Sequence, residues 1–383
     1  MKKTAQRIAH FKDSIFGVMS KLARDHQAVN LGQGFPDFDG PEWLKKIAQE
    51  KIQQGHGQYA PFMGAPSLRQ SVSDYYQRYY KLSYNPESEI TITVGATEAL
   101  FTTITACVDP GDEVIVLEPF YDSYVASIEM AGGKAVPVTM HAPSFTVVES
   151  ELEAAVSSKT KMIIVNNPHN PSGKVWEKSE LEMVSRFAVK HDLLVISDEV
   201  YEFLLFDGAK HYPLALFPGM YERTFTISSA GKTFGLTGWK TGWICAPGSL
   251  SQAVRLVHQY VTFSVATPLQ EAVADGLKQL ESYLPVFQKT YLEKRDFFYA
   301  GLKRLGFEFA IPRGTYFMMV PIRSKTQLSD VDYAMELVKT YQVATVPPSA
   351  FYLKSKEGHE YLRFCFAKKQ ETLQAALKNL ERL

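Results

Sequence analysis

Cysteine is scarce in this sequence: Cys107, Cys245 and Cys365 stand far apart among 383 residues, each in an apolar run. An odd, scattered set cannot build a disulfide framework and reads as buried, reduced thiols of a cytosolic protein. None of the nine histidines pairs at ligand spacing with another histidine or a cysteine, so metal chemistry has no visible seat. Neither sign of charge is in excess, since Lys plus Arg and Asp plus Glu both total 41. No field draws nucleic acid or an anionic membrane, and neither is expected as a partner. No run approaches the roughly twenty apolar residues that span a bilayer. Residues 1–17 lack the apolar core and small-residue cleavage site of a secretory leader, so the expected location is cytoplasmic.

What is present is ordinary globular material, 45% hydrophobic and 21% charged. A chain this long exceeds the usual size of one core, which predicts two lobes with a site between them. From about Glu89, short β-branched runs alternate with amphipathic stretches, the pattern of an α/β protein with a mostly parallel sheet. Strands are predicted at Ile90 to Val94, Glu113 to Leu117, Met162 to Val165, Leu193 to Ser197, Thr224 to Ser228 and Gly242 to Ala246. Helices are predicted at Glu98 to Cys107, with Thr97 as N-cap, and at Ser179 to His191. After Pro268 a helical run through Lys294 leads to a mixed segment and a last strand, Tyr361 to Phe366, which reads as a smaller α+β lobe. Ala5 to Leu22 has a helical pattern, interrupted at Gly17, that would pack on that lobe. The expected division is an N-terminal segment 1–40, a large lobe 41–275 and a small lobe 276–383.

Ligands of open α/β sheets bind beyond the carboxyl ends of the strands. Five polar loops follow the predicted strands there and should converge: Gly95-Ala96-Thr97, Glu118-Pro119-Phe120-Tyr121, Asn166-Asn167-Pro168-His169-Asn170-Pro171, Asp198-Glu199-Val200-Tyr201 and Ser229-Ala230-Gly231-Lys232. The first joins a strand to a helix through small residues, which lets backbone N–H groups approach a phosphate, although many such turns bind nothing. Ser229, Lys232 and Lys240 add a hydroxyl and two cations in one glycine-rich stretch. Either lysine could be a solvated surface charge, or one could pair with phosphate while the other forms an imine. Asp198 ends an apolar run, where it either shapes a turn or meets a cation such as a protonated pyridine nitrogen. Tyr201 reads as a core aromatic or a donor to a cofactor phenolate, and Asn170 before proline as a turn or a second donor.

The stretches Asn-Asn-Pro-His-Asn-Pro-Ser-Gly (166–173), Ser-Asp-Glu-Val-Tyr (197–201) and Ser-Ser-Ala-Gly-Lys-Thr-Phe-Gly-Leu-Thr-Gly-Trp-Lys (228–240) resemble the class I/II, fold-type I aminotransferases that use pyridoxal 5'-phosphate (PLP). The likeness runs from Asn-Leu-Gly-Gln-Gly-Phe-Pro-Asp (30–37) to Tyr-Leu-Arg-Phe-Cys-Phe (361–366). Both end motifs are most similar to the bacterial methionine and the kynurenine/glutamine aminotransferase branches. The resemblance implies a large lobe with a seven-stranded, mostly parallel sheet between helices, plus a smaller α+β lobe. It implies Lys232 as the lysine bonded to PLP, Asp198 as partner of the pyridine nitrogen, and Tyr201 and Asn170 as donors to the phenolic oxygen. Ala96, Thr97, Ser229 and Lys240 fall at phosphate positions, and Tyr121 at the aromatic stacked on the ring. Lys240 stands where the aspartate branch often has arginine, which shifts the branch and not the cofactor. Tyr59 matches a tyrosine sent across a homodimer interface to the neighbouring phosphate. Arg363 matches the grip on the substrate carboxylate, helped by Asn170 and the backbone of Gly34.

The branch comparison places Phe16, Tyr59, Tyr121 and Phe263 around the substrate side chain, although any single phenylalanine could be plain core. Such a pocket suits a neutral sulfur or aromatic side chain, methionine first, with a 2-oxo acid as acceptor. Two rival readings are a carbon–sulfur β-lyase on the same scaffold and a ligand-sensing regulator. The second would resemble a fusion to a winged-helix domain, for which only about thirty residues precede the likeness.

Overall fold

The computed structural model describes residues 5–383. Its centre is an eight-stranded sheet. From one edge the order is Ile90–Val94, Thr241–Cys245, Thr224–Ser229, Leu194–Asp198, Thr160–Asn166, Glu113–Glu118, Lys134–His141 and the two-residue Thr146–Val147. Only Thr241–Cys245 and Thr146–Val147 run opposite to the other six strands. Ile163, Val195, Ile196, Phe225, Ile227 and Ile244 are fully buried, as strands covered on both faces require. One face packs under helices Gly95–Cys107, Ser123–Met130 and Gly248–Val261 and the other under Lys178–Lys190. This is the fold-type I arrangement, with seven long strands and one short edge strand.

All six predicted strands form, with ends within two residues of those expected. Lys134–His141 escaped notice because Pro137 interrupts its β pattern; the strand tolerates it since Pro137 pairs with Val116 alone, its other side left open. Thr97 is not an N-cap. The helix opens two residues earlier, at Gly95, without a side-chain cap, so its first N–H groups face the pocket free. The N-terminal break also falls elsewhere: Ser14 caps a helix Ile15–Asp25 through the N–H of Gly17, which lies inside it. Cys245 and Cys365 are buried, whereas Cys107 is half-buried.

Beyond the central sheet, helices Thr267–Leu277 and Leu280–Arg304 make up the helical run expected through Lys294, which extends ten residues further. Phe317–Pro321 pairs antiparallel with Tyr361–Cys365. Val29–Asn30 pairs parallel with Val343–Ala344. The chain's first strand is thereby fixed next to Arg363, since Val346 exchanges two backbone hydrogen bonds with Arg363. Among the described residues no helix is long and apolar enough to cross a membrane.

Candidate active site

The parallel register sets Asn166 opposite Asp198 and Asp198 opposite Ile227, so consecutive strands end at one level. The five loops therefore meet, and with residues 33–35, Phe16, Phe317 and Arg363 they enclose a cavity of about 300 Å³. Ala96, Thr97, Tyr121, Asn170, Asp198, Tyr201, Ser229, Lys232, Lys240, Gly34, Phe16 and Arg363 all line it. Two predicted residues do not. Tyr59 and Phe263 stack edge to face on the surface, with centroids 5.3 Å apart and 80% and 46% exposure. Phe263, like Tyr59, lies outside its own chain's cavity. The placement of Tyr59 suits a residue that reaches outward.

At one end of the cavity the helix Gly95–Cys107 aims its free N–H groups inward. Gly95 has φ +71°, and a Cβ there would stand 3.2 Å from Lys240 Nζ, so only glycine lets the ammonium rest against this turn. Ser229 completes the cup. Helix dipole, hydroxyl and cation together suit a phosphate.

In the middle, Asp198 accepts from Tyr124 Oη at 2.6 Å and weakly from the Val200 N–H at 3.4 Å. Burial drives its carboxyl up to about 6, since no cation is bonded to it. Lys232 Nζ donates to Tyr316 Oη at 2.8 Å and to Gly34 O at 3.3 Å, while Tyr316 donates to Gly34 O at 2.7 Å. Burial lowers the Lys232 amine to about 8, against the pull of Asp198. Burial also raises the Tyr201 phenol, which stays a neutral donor.

At the far end, Arg363 is 1% exposed. Its Nη1 donates to Asn170 Oδ1 at 3.0 Å and its Nη2 to Gly32 O at 2.8 Å, while buried Nε has no partner. Phe317 stacks 4.2 Å from the guanidinium carbon, with Phe16 and Phe351 at 4.9 and 5.4 Å. Among the described residues no carboxylate forms an ion pair with Lys232, Lys240 or Arg363. Three uncompensated cations and a buried acid with no cation of its own fit one ligand set. PLP would place its phosphate at Gly95–Thr97 and Lys240, its ring nitrogen at Asp198 and its reactive carbon by Lys232, leaving Arg363 for a substrate carboxylate.

Tyr124, Tyr316 and Phe317 were missed by sequence reasoning. Tyr124 lies three residues past Tyr121, one helical turn along, and that spacing was the available signal. Tyr316 and Phe317 lie outside the motifs and gave none. Glu199, Glu202 and His211 also meet, fully buried, with ligand atoms within 4.8 Å, although nothing in their spacing pointed to a metal. Asn167 accepts from the Trp176 N–H, so its amide donates to His211 Nδ1, and His211 Nε2–H donates to Glu199 at 2.8 Å. Glu202 accepts from Tyr75, Tyr80 and Ser228. The cluster's donors and acceptors are matched to one another, as in a structural network.

The geometry agrees with the comparisons. Residues 26–380 match the family described as aminotransferase class I and II. A methionine aminotransferase of Escherichia coli is 41% identical over 97% of this chain and 96% of its own. A kynurenine–oxoglutarate transaminase of Dictyostelium discoideum is 40% identical over 100% and 96%. The solved N-succinyldiaminopimelate aminotransferase of Mycobacterium tuberculosis superposes with TM-score 0.97 at 40% identity, covering 99% of this chain and all of that one. With its fold, its cavity and nearly its whole length in agreement, the chain belongs to the class I and II aminotransferases, which are PLP-dependent transaminases.

Proposed function

We propose that this aminotransferase takes the amino group of a neutral amino acid with a sulfur or aromatic side chain, methionine first, and passes it to a 2-oxo acid in two half-reactions. One observation carries the substrate class. Among the described residues the cavity's only cations are Lys232, Lys240 and Arg363, and cofactor and α-carboxylate would occupy all three. A second carboxylate on the substrate would meet Phe16, Phe35, Leu100 and Phe317, where its burial costs several kcal/mol, about 3 or more. The E. coli relative is named a methionine aminotransferase, which supports the same order of preference.

When bound, PLP withdraws electrons from the substrate Cα and makes its proton removable. Arg363 grips the α-carboxylate with Asn170 and the Gly34 backbone, fixing the Cα–H bond over Lys232. Lys232 would hold the cofactor at rest, and its Nζ, once free, is the base placed to take the substrate's Cα proton and to give a proton back. An amine near pKa 8 is suited to this two-way transfer at neutral pH. Asp198 would keep the ring nitrogen protonated, and Tyr201 and Asn170 would donate to the phenolic oxygen. Tyr121 would cover the ring; Ala96, Thr97, Ser229 and Lys240 would hold the phosphate. We further assign residues 41–275 to the cofactor lobe and 276–383 to a smaller lobe, on which the described part of the 1–40 segment, residues 5–40, packs. The enzyme acts in the cytoplasm as a homodimer, Tyr59 completing the partner's phosphate cup and Phe263 lying beside it.

A panel of amino acids scored for pyridoxamine formation in single half-reactions tests this reading. Methionine and aromatic amino acids should convert fastest. Aspartate reacting far faster than methionine would overturn it. Ammonia and an oxo acid released from a cysteine conjugate without acceptor would point to the β-lyase instead.

A further inference from the structure

Glu118 is a fully buried carboxylate that the chemistry above does not use. It ends the strand Glu113–Glu118, three residues before Tyr121. Its Oε2 accepts the N–H groups of Leu353 and Lys354 at 2.7 and 3.0 Å; its Oε1 accepts the Ser355 N–H at 2.8 Å and the Thr139 hydroxyl at 2.9 Å. Three successive backbone donors on one carboxylate form an anion nest. The three backbone N–H groups can only donate, so both carboxylate oxygens are needed as acceptors, and an amide nitrogen in place of Oε1 would turn a donor toward the Ser355 N–H. Alongside, the Phe120 N–H donates to Phe351 O at 3.0 Å.

The captured segment continues into the carboxylate grip. Phe351 stacks on Phe16 with centroids 5.6 Å apart and lies 5.4 Å from the Arg363 guanidinium. The same segment joins Arg363 through Val346. One buried anion thus ties the strand end bearing the ring-covering Tyr121 to the aromatic bed of Arg363. We infer that Glu118 is a positioning residue for substrate recognition: its carboxylate sets the distance between the cofactor face and the Arg363 grip. This rests on the reading of Arg363 as the α-carboxylate grip.

The test compares Glu118→Gln, Glu118→Asp, Phe351→Leu and Arg363→Lys as PLP-loaded enzymes in the methionine half-reaction. Reaction of the bound cofactor with hydroxylamine, which has no carboxylate, serves as a second readout. Glu118→Gln and Phe351→Leu should each raise the half-saturating methionine concentration tenfold or more, leaving the limiting rate and the hydroxylamine rate within about twofold. Glu118→Asp keeps the charge but shortens the reach, and should fall between Gln and the natural residue. Unchanged half-saturation in either main variant overturns the inference, as does equal loss in both readouts, which marks general damage. If Glu118→Gln does not fold, Glu118→Asp decides: half-saturation unchanged from the natural enzyme, or equal loss in both readouts, overturns the inference. Arg363→Lys separates the two readings: no rise there refutes the grip itself, whereas a rise there without one in the others refutes only Glu118.

Discussion

Replacing Asp198 by Asn should make the cofactor-free protein more stable while disabling the enzyme. The carboxyl is buried, and in the absence of a bound cation its pKa is pushed from 3.8 to about 6. A raised folded-state pKa means the native chain binds more protons than the unfolded chain between about pH 4 and pH 6. Stability from this group is therefore present at low pH and lost as pH rises through that window. The loss above pH 6 is the shift of about two units at 1.36 kcal/mol each, or ~3 kcal/mol. Asn can still accept from Tyr124 but turns an N–H toward Val200, whose contact is weak, so ~1 kcal/mol is forfeited and ~2 kcal/mol remains. Unfolding entropy near 2.1 cal/mol/K per residue implies that this gain raises Tm by ~2–4 °C. Calorimetry of both cofactor-free proteins at pH 7.5 and pH 5 checks it. About two-thirds of the gain should vanish at pH 5, where the natural carboxyl is largely protonated and the ~1 kcal/mol forfeited by Asn is unchanged. Equal Tm values at pH 7.5, or a gain undiminished at pH 5, would refute the account of Asp198 as an acid waiting for a cation. In the loaded enzyme the same substitution removes a charge-assisted bond of ~2–3 kcal/mol and should slow the half-reaction about a hundredfold.

Lys232→Ala should abolish turnover yet retain PLP noncovalently through Asp198 and Lys240, read by absorbance after desalting; normal transamination by this variant would sink the central assignment. Because burial lowers the Lys232 amine to about 8, the rate at which the cofactor-free protein captures PLP should climb to about pH 8 and then level off. A stopped-flow rate still climbing tenfold per unit at pH 9.5 would contradict that. Arg363→Lys should raise half-saturation for methionine ~100-fold, since the lost bidentate contact is worth ~3 kcal/mol, with PLP affinity unchanged. Gly34→Ala would set a Cβ 2.9 Å from Phe317 Cζ, forcing that ring off Arg363. Its half-saturation should rise and its stability fall by ~1–3 kcal/mol, as measured by steady-state kinetics and denaturant unfolding.

The buried strands were legible because their apolar runs are short, β-branched and bounded by polar loops. Lys134–His141 was not, since Pro137 is admissible only where one side of a strand stays unpaired, and pairing is a tertiary fact. The cap of the Gly95–Cys107 helix misled for a related reason. Thr97 looks like a cap by local propensity, but the helix begins two residues earlier, at Gly95, without a side-chain cap. Glu199, Glu202 and His211 illustrate the same limit: their spacing carries no motif, and burial alone brings them together.

The sequence by itself determined the succession of strands and helices and the chemical kinds of group at each strand end, because periodicity and loop composition are local properties. It also supplied the motifs that place the chain among PLP enzymes. Tertiary structure decided which groups share one cavity and which meet water. It put Tyr59 and Phe263 outside, set Tyr316 against Lys232 and Phe317 under Arg363, and brought Glu118 to a segment 235 residues further on. Those pairings depend on sheet register and on burial removing every competing partner, which no local stretch of the chain encodes.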